Sequence, residues 1–404
     1  MDHRSTVSQP ASAQPAPFIS SKMHPAGQQA PGTQDGARPL KPVEIDCDQA
    51  IFTSQKSPMG EGYRIVAASS GIRPDEKAEI TRRSPSHGSL TSDSPQSEGM
   101  LAYPLPSGRY CVCHCRYDGV EHTARGGQRV RTHIAILDPK DFRKFDNNPF
   151  SVDQALARVP VEAARAFSPA MGRLHLKATD LYTQPRHIGN AKGPSAFLKV
   201  VRALIGEERC ILASVPEARP TLQWAMMMIP LSMRAKRSFS VGVKFSLTRN
   251  LTTTIVHQDL ERVRQMVAGQ SIQWRDVTAD TPVRQDLFAE WINFVGVRAD
   301  QGRVGEVSKL TNQMTELSTQ IALARIARLS LDRDAAETHE LDVLTALRNE
   351  YNKFAARDEL ETKLTEDIRQ FVEQRIADVE EAMREAEEQA NQDEVTVKSG
   401  PSRI

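Results

Sequence analysis

The chain has 404 residues, of which 25% are charged and 39% hydrophobic, with Lys+Arg 52 against Asp+Glu 51. A net charge of +1 sets up no whole-molecule field that would draw the protein to nucleic acid or to an anionic membrane, so any charge effect must be local. The length exceeds the roughly 250–300 residues that a single hydrophobic core serves, and it predicts two or three folded units.

Residues 1–42 are rich in Pro, Ser, Gln, Ala and Gly and nearly bare of large aliphatics, so a disordered arm is expected there. Its opening, MDHRSTVSQPASAQPAP, has no apolar h-region and argues against secretion. From Val43 the pattern turns to β-branched and aromatic runs punctuated by Gly and Pro, which predicts strands at 44–54, 62–69, 100–104, 108–117 and 128–137. Pro74, Asp75 and Glu76 open a helix over 74–83, since proline suits the first turn and acids suit the positive end of the dipole. SPSHGSLTSDSPQSEG, Ser84–Gly99, reads as a mobile surface loop. Asp138 and Pro139 start a helix that Asn147-Asn148-Pro149 ends, and Ser151 with Gln154 forms a capping box for the next. Together these give an antiparallel α+β domain over 43–185.

A second, α/β sandwich-like domain is expected over 190–300. Its order is helix 195–206, strand 209–214, helix 217–229, strands 238–247 and 252–257, helix 260–268 and strand 271–277, which suits a split-βαβ arrangement. Between Gly305 and Gly400 there is neither Gly nor Pro, so 303–394 reads as a helical hairpin or coiled coil, with a disordered tail over 395–404. Val307, Leu310, Met314, Leu317 and Ile321 alternate spacings of three and four, as an oligomerisation seam does. A turn is expected around 332–338, and Asp358 with Glu361 offers a further helix start.

The five cysteines are Cys47, Cys111, Cys113, Cys115 and Cys210, an odd set that reads as reduced thiols and places the protein in the cytoplasm. Cys111, Cys113 and Cys115 share one face of a strand while His114 points away, so small buried residues are expected and no metal site. The longest apolar run, Trp224 to Leu231, is far short of the roughly 20 residues a membrane span needs. The sequence has no GxxxxGK[ST], GxGxxG after a strand, HExxH or GxSxG, which points away from the common nucleotide-hydrolysing, dehydrogenase, zincin and hydrolase chemistries, and no cofactor is expected. The remaining catalytic candidates are His87 and His133, and they require convergence in one cleft with an acid or a nucleophile. Arg234, Lys236, Arg237, Lys244 and Arg249 form a basic cluster around Phe239 and Phe245 that suits phosphate binding or, alternatively, the carboxyl end of the preceding helix.

Gln49 to Leu90, QAIFTSQKSPMGEGYRIVAASSGIRPDEKAEITRRSPSHGSL, with LPSGRYCVCHCRYDG and GGQRVRTHIAIL, resembles the amino-terminal domain of the GTPase-associated protein 1 family. Leu231, Arg234, Arg237 and SFSVGVKF resemble that family's middle domain. The resemblance implies a component of a bacterial GTPase-centred conflict or regulatory system, in which a separate GTPase supplies the nucleotide chemistry and this chain acts as an adaptor.

The function expected is therefore a non-enzymatic adaptor or scaffold that binds partner proteins, a GTPase among them, and associates with itself through the helical tail. No membrane is involved, and nucleic acid ranks below protein as a partner. The alternative is an unrecognised hydrolase or nucleotide-processing enzyme built on His87 or His133.

Overall fold

A computed structural model of the chain describes residues 43–57, 60–121, 126–159, 170–178, 194–206, 208–279, 288–314, 320–338 and 340–398. The arm expected at 1–42 and the seam residue Leu317 lie outside the described residues. The first half is built from β1 (Val43–Ser57), β2 (Gly60–Ser69), α1 (Pro74–Arg83), β3 (Glu98–Pro104), β4 (Tyr110–Val120), β5 (Gln128–Leu137), α2 (Pro139–Arg143), α3 (Pro149–Ala157), β6 (Ala170–Met171) and β7 (Leu174–Ala178). β3, β4, β5, β1 and β2 lie side by side as antiparallel neighbours.

Both faces of this half are covered, which is why its strands read as nearly unbroken apolar runs. Alternation sends Val112, Ala135 and Leu137 to the face under α2 and α3, and Cys111, Cys113, Cys115, Ile134 and Ile136 to the face under Ile80 of α1. The three clustered cysteines are fully buried on one face, as their alternate spacing predicts. α1 begins at Pro74, and the Glu76 carboxylate accepts the Arg73 backbone N–H at 2.9 Å.

Two local expectations are corrected. α3 starts two residues before Ser151, because Asn148 takes the capping position and its side chain accepts the Phe150 N–H at 3.0 Å. Ser84–Gly99 is pinned rather than loose: Leu90 is fully buried and bridges Val243, the Thr91 N–H donates to the Gly242 carbonyl at 3.1 Å, and the Lys244 N–H donates to the Ser89 carbonyl at 2.7 Å. One apolar side chain in a polar stretch found a core site, which composition alone does not show.

The second half contributes α4 (Pro194–Ile205), β8 (Cys210–Ala213), α5 (Ala218–Met227), α6 (Leu231–Arg234), β9 (Phe239–Val241), β10 (Thr253–Val256), α7 (Leu260–Val267) and β11 (Gln273–Asp276). The element order is as expected, but the split-βαβ topology is not: β11, β8, β10 and β9 are neighbours in that order and every pair is parallel. β9 then pairs antiparallel with β3, through Met100–Val241 and Ala102–Phe239, so a single sheet runs through both halves. The units expected at 43–185 and 190–300 share that sheet rather than each building its own, and Lys41–Ile404 form one unit.

Four further helices follow α8 (Ala289–Asp300): α9 (Val304–Gln313), α10 (Gln320–Ala335), α11 (Leu341–Tyr351) and α12 (Glu359–Lys398). α9 belongs to the body. Val307 and Met314 are buried in the main core, and Thr311 accepts a hydrogen bond from Arg234 at 2.8 Å. α10, α11 and α12 pack a smaller core of Leu329, Leu344, Leu347, Tyr351, Ile368, Val372 and Ile376. Asp358 caps α12 as expected, accepting the Glu361 N–H at 2.8 Å, while the Glu361 carboxylate reaches the Arg357 N–H at 2.9 Å. The helix continues to Lys398, past the point at 395 where a disordered tail was expected.

Candidate functional site

The residues singled out in the sequence separate in the fold. His133 sits on β5, directly opposite His114 of β4, and its Nε2 meets the Gln49 side-chain oxygen at 3.0 Å. His133 is on the face covered by α3, since Ala135, two residues on, packs there. His87 lies near Gly127 at the base of the β4–β5 hairpin, in the segment that carries Leu90 into the core on the other face. Among the described residues no hydrogen bond or ion pair joins either histidine to the other, to an acid or to a thiol.

Three of the five clustered cations are structural. Arg234 is buried and donates to the carbonyls of Ile229 (3.0 Å), Asp146 (3.0 Å) and Met227 (3.1 Å), tying α6 to the turn that follows α2. Arg237 donates to the carbonyls of Gly206 (2.8 Å) and Ile205 (3.3 Å), and Arg249 to those of Arg83 (3.1 Å) and Lys244. These guanidiniums satisfy chain ends and turns, the role that the alternative reading of the cluster assigned to them. Lys236 is exposed, and Lys244 alone lines a cavity. Of the seam, Val307 and Met314 are spent inside the body, whereas Ile321 is half exposed.

A polar cluster that the sequence did not announce lies where α3 and α5 meet β4. Asp153 of α3, fully buried, pairs its carboxylate with His114 Nδ1 at 3.0 Å and with the Arg219 guanidinium of α5. His114 Nε2 makes no hydrogen bond to a described residue, and its nearest charge is the Glu98 carboxylate at 3.8 Å. Burial is the main reason that the His114 imidazole is held down at about 4, with Arg219 and Arg116 adding repulsion against the pull of Glu98. His133 is pushed down to about 3, again chiefly by burial and then by Arg131. Both rings are neutral at pH 7. A carboxylate-oriented imidazole has the form of a general base, yet no hydroxyl or thiol hydrogen-bonds to it among the described residues, and the thiols of Cys113 and Cys115 face the other side of the sheet.

The second constellation lies beyond the carboxyl ends of β9 and β10. From β8 the chain crosses through α5 to β9; from β10 it crosses through α7 in the opposite direction, to β11. Right-handed crossovers running in opposite directions place their helices on opposite faces. Leu212 and Ile255 accordingly face α5, while Ile211, Ala213 and Val256 face α7. In such sheets a crevice opens beside the strand ends where the connections diverge. Here it is a cavity of about 190 Å³, lined by Lys244, His257 and Arg262 together with Phe245, Val263 and Met266. Asp259, with a left-handed φ of 52°, turns the chain from β10 into α7 at its edge. Burial lowers the His257 pKa. Lys244, His257 and Arg262 have no ion pair and no side-chain hydrogen bond to any described residue. The sequence had marked Lys244; the short turn His257-Gln258-Asp259 between a strand and a helix is the signal that would have added the other two.

Among the described residues no group of acids, histidines and cysteines is placed to hold a metal, and no helix is long and apolar enough to cross a membrane. No curated protein matches the chain. Residues 46–158, the stretch from β1 through α3, match the family model of the GTPase-associated protein 1 N-terminal domain, type 2.

Proposed function

We propose that this protein is a non-enzymatic adaptor of a GTPase-associated system in the cytoplasm, holding partner proteins while a separate GTPase supplies nucleotide hydrolysis. The observation that carries the reading is the family match over residues 46–158 in a chain that has no GxxxxGK[ST] loop of its own. The chemistry of the matched segment supports it. Its buried titratable groups are tied to one another, with Asp153 held between His114 and Arg219, and Asp48 and Glu76 both held by Arg109. Groups engaged in this way hold a fold together rather than present themselves to a substrate.

The test is affinity purification of the full chain from its native cell, followed by direct binding of each retained protein. Recovery of a protein carrying a phosphate loop, whose purified form binds the chain, is the expected outcome. If no GTPase is retained and none binds, the adaptor reading falls. The hydrolase alternative retains one favourable feature, the Asp153–His114 pair, in place of the separated His87 and His133. It requires turnover of some ester or nucleotide that a His114→Gln substitution abolishes at unchanged stability.

A further inference from the structure

The crevice beyond β9 and β10 is not used by anything described above, and its lining combines cationic with apolar side chains. Lys244 comes from the segment after β9, His257 from the end of β10 and Arg262 from the first turns of α7, so three separate elements bring nitrogen donors to one cavity. None of the three is engaged by a carboxylate or carbonyl of the described residues, in contrast to Arg234, Arg237 and Arg249, whose donors are occupied by backbone oxygens. A lysine and an arginine that line one cavity without an ion pair offer an anion two permanent positive charges. The lining also includes Phe245 and Met266, the latter 39% exposed. At about 190 Å³ the cavity has the volume of about six waters at ~30 Å³ each, enough for a phosphate group and part of a ring but not for a macromolecular segment.

We propose that this crevice is a binding site for a small phosphate ester carrying a flat or apolar body, of mononucleotide size, with Lys244, His257 and Arg262 on the phosphate and Phe245 and Met266 against the ring. Phosphate is favoured over a carboxylate because it is compact, offers three or more acceptor oxygens to donors that converge from three directions, and carries up to two charges for two permanent cations. Asp259 at the rim sets a limit: its carboxylate faces solvent at the cap of α7 and disfavours a second anionic group on that side. The site is distinct from a phosphate loop. The chain has no GxxxxGK[ST] loop, and what is proposed for the crevice is binding, not hydrolysis. The inference does not rest on the adaptor reading, and a chain that binds no GTPase would still present this crevice.

The experiment is calorimetric titration of the full chain with four probes: guanosine monophosphate, adenosine monophosphate, pyrophosphate and guanosine. Either or both monophosphates are expected to bind. Lys244→Gln and Arg262→Gln are each expected to weaken that binding by at least about tenfold, as loss of one charge-assisted hydrogen bond does. Lys236→Gln, at an exposed cation of the same sequence cluster but outside the crevice, is expected to leave it unchanged. Phe245→Ala is expected to weaken the monophosphates and not pyrophosphate. Circular dichroism of each variant confirms the fold, which does not use the Lys244 or Arg262 side chains. Absence of binding by both monophosphates up to millimolar concentration overturns the proposal, as does equal affinity of the Lys244→Gln/Arg262→Gln double variant. Guanosine binding as tightly as its monophosphate overturns it too.

Discussion

Arg109 at the start of β4 shows how a single residue joins three segments. Its Nε donates to Glu76 of α1 at 2.8 Å, Nη1 to Asp48 of β1 at 2.6 Å, and Nη2 to the Gly71 carbonyl at 3.1 Å. Burial by itself would raise the Glu76 carboxyl, but the bonds from Arg109, Ser107 and the Arg73 N–H outweigh it and hold the group at about 2. Arg109→Leu leaves the buried Asp48 without its ion pair and Glu76 with only Arg73, at 3.6 Å, and is expected to cost about 3 kcal/mol in urea unfolding at pH 7. A carboxyl with a depressed folded value stabilises above its ordinary 4.5 and loses that contribution as the pH falls toward 2, so the gap between wild type and variant should narrow over that window. His114 and His133 lose stability in the same direction but at higher pH, because their ordinary value is 6.5. Held at about 4 and about 3, they bind fewer protons folded than unfolded, so stability is full above 6.5 and declines as the pH drops below it. His133→Gln is expected to remove one proton from that slope, about 1.4 kcal/mol per pH unit between pH 6 and 4, measured by urea midpoints at several pH values. The histidines themselves were visible in the sequence. Their neutrality was not, because it comes from α3 and α5 closing over the strands.

At the scale of elements, the junction of β3 with β9 decides whether the two halves share a sheet. Gly242 follows β9 with φ at 71°, and a Cβ there would strike the Glu98 carbonyl and lie 3.0 Å from the Gly99 Cα. Gly242→Ala therefore meets both a left-handed backbone and a backbone clash that no rotamer change relieves. The expected outcome is a loss of about 2 kcal/mol or more, with fewer amides protected from hydrogen exchange in Met100–Ala102 and Phe239–Val241. α12 offers the reverse case. Its buried residues end at Val379, and 380–391 are exposed, Met383 included. A chain ending at Glu380 is expected to unfold at the same denaturant concentration as the full chain, because the removed turns contribute no core; a clear drop in midpoint would show that they pack. The start of α12 was legible from Asp358 and Glu361, since a cap is a local hydrogen bond.

At the scale of the whole molecule, the body and the helices that follow it share one core. Val304, Val307 and Met314 of the α9 region, with Leu323 and Ile326 of α10, are buried in the same cluster as Trp291 and Phe294 of α8 and Leu222 and Met226 of α5. Thr311 completes the hydrogen bonding of the buried Arg234. Removing residues 304–404 would open that cluster and leave a guanidinium donor unsatisfied. The truncated chain is expected to lose cooperative unfolding and to bind a hydrophobic dye, whereas an independent body would keep a sharp transition. Of the apolar repeat read as a seam for another helix, Val307, Leu310 and Met314 pack on the chain's own core, while Ile321 is half exposed. A period of three and four reports that a helix has a greasy side; it does not report what covers that side.

Local chemistry settled in the sequence the strands β1 to β5, the order of β8 to β11 with the helices between them, though not β6, β7, α6 or α8, the proline start of α1, the cap of α12, the one-sided placement of the three cysteines, and the want of a phosphate loop. These are properties of a few adjacent residues, namely side-chain alternation, a proline's fixed φ, or a carboxylate within reach of a nearby N–H. Tertiary structure alone decided that the parallel and antiparallel strands form one sheet, that His133 meets Gln49 and not an acid or a thiol, that Arg234, Arg237 and Arg249 serve carbonyls, and that Lys244 lines one crevice with His257 and Arg262. Each of these depends on contacts between residues far apart in the chain, and no local preference encodes which distant segment arrives.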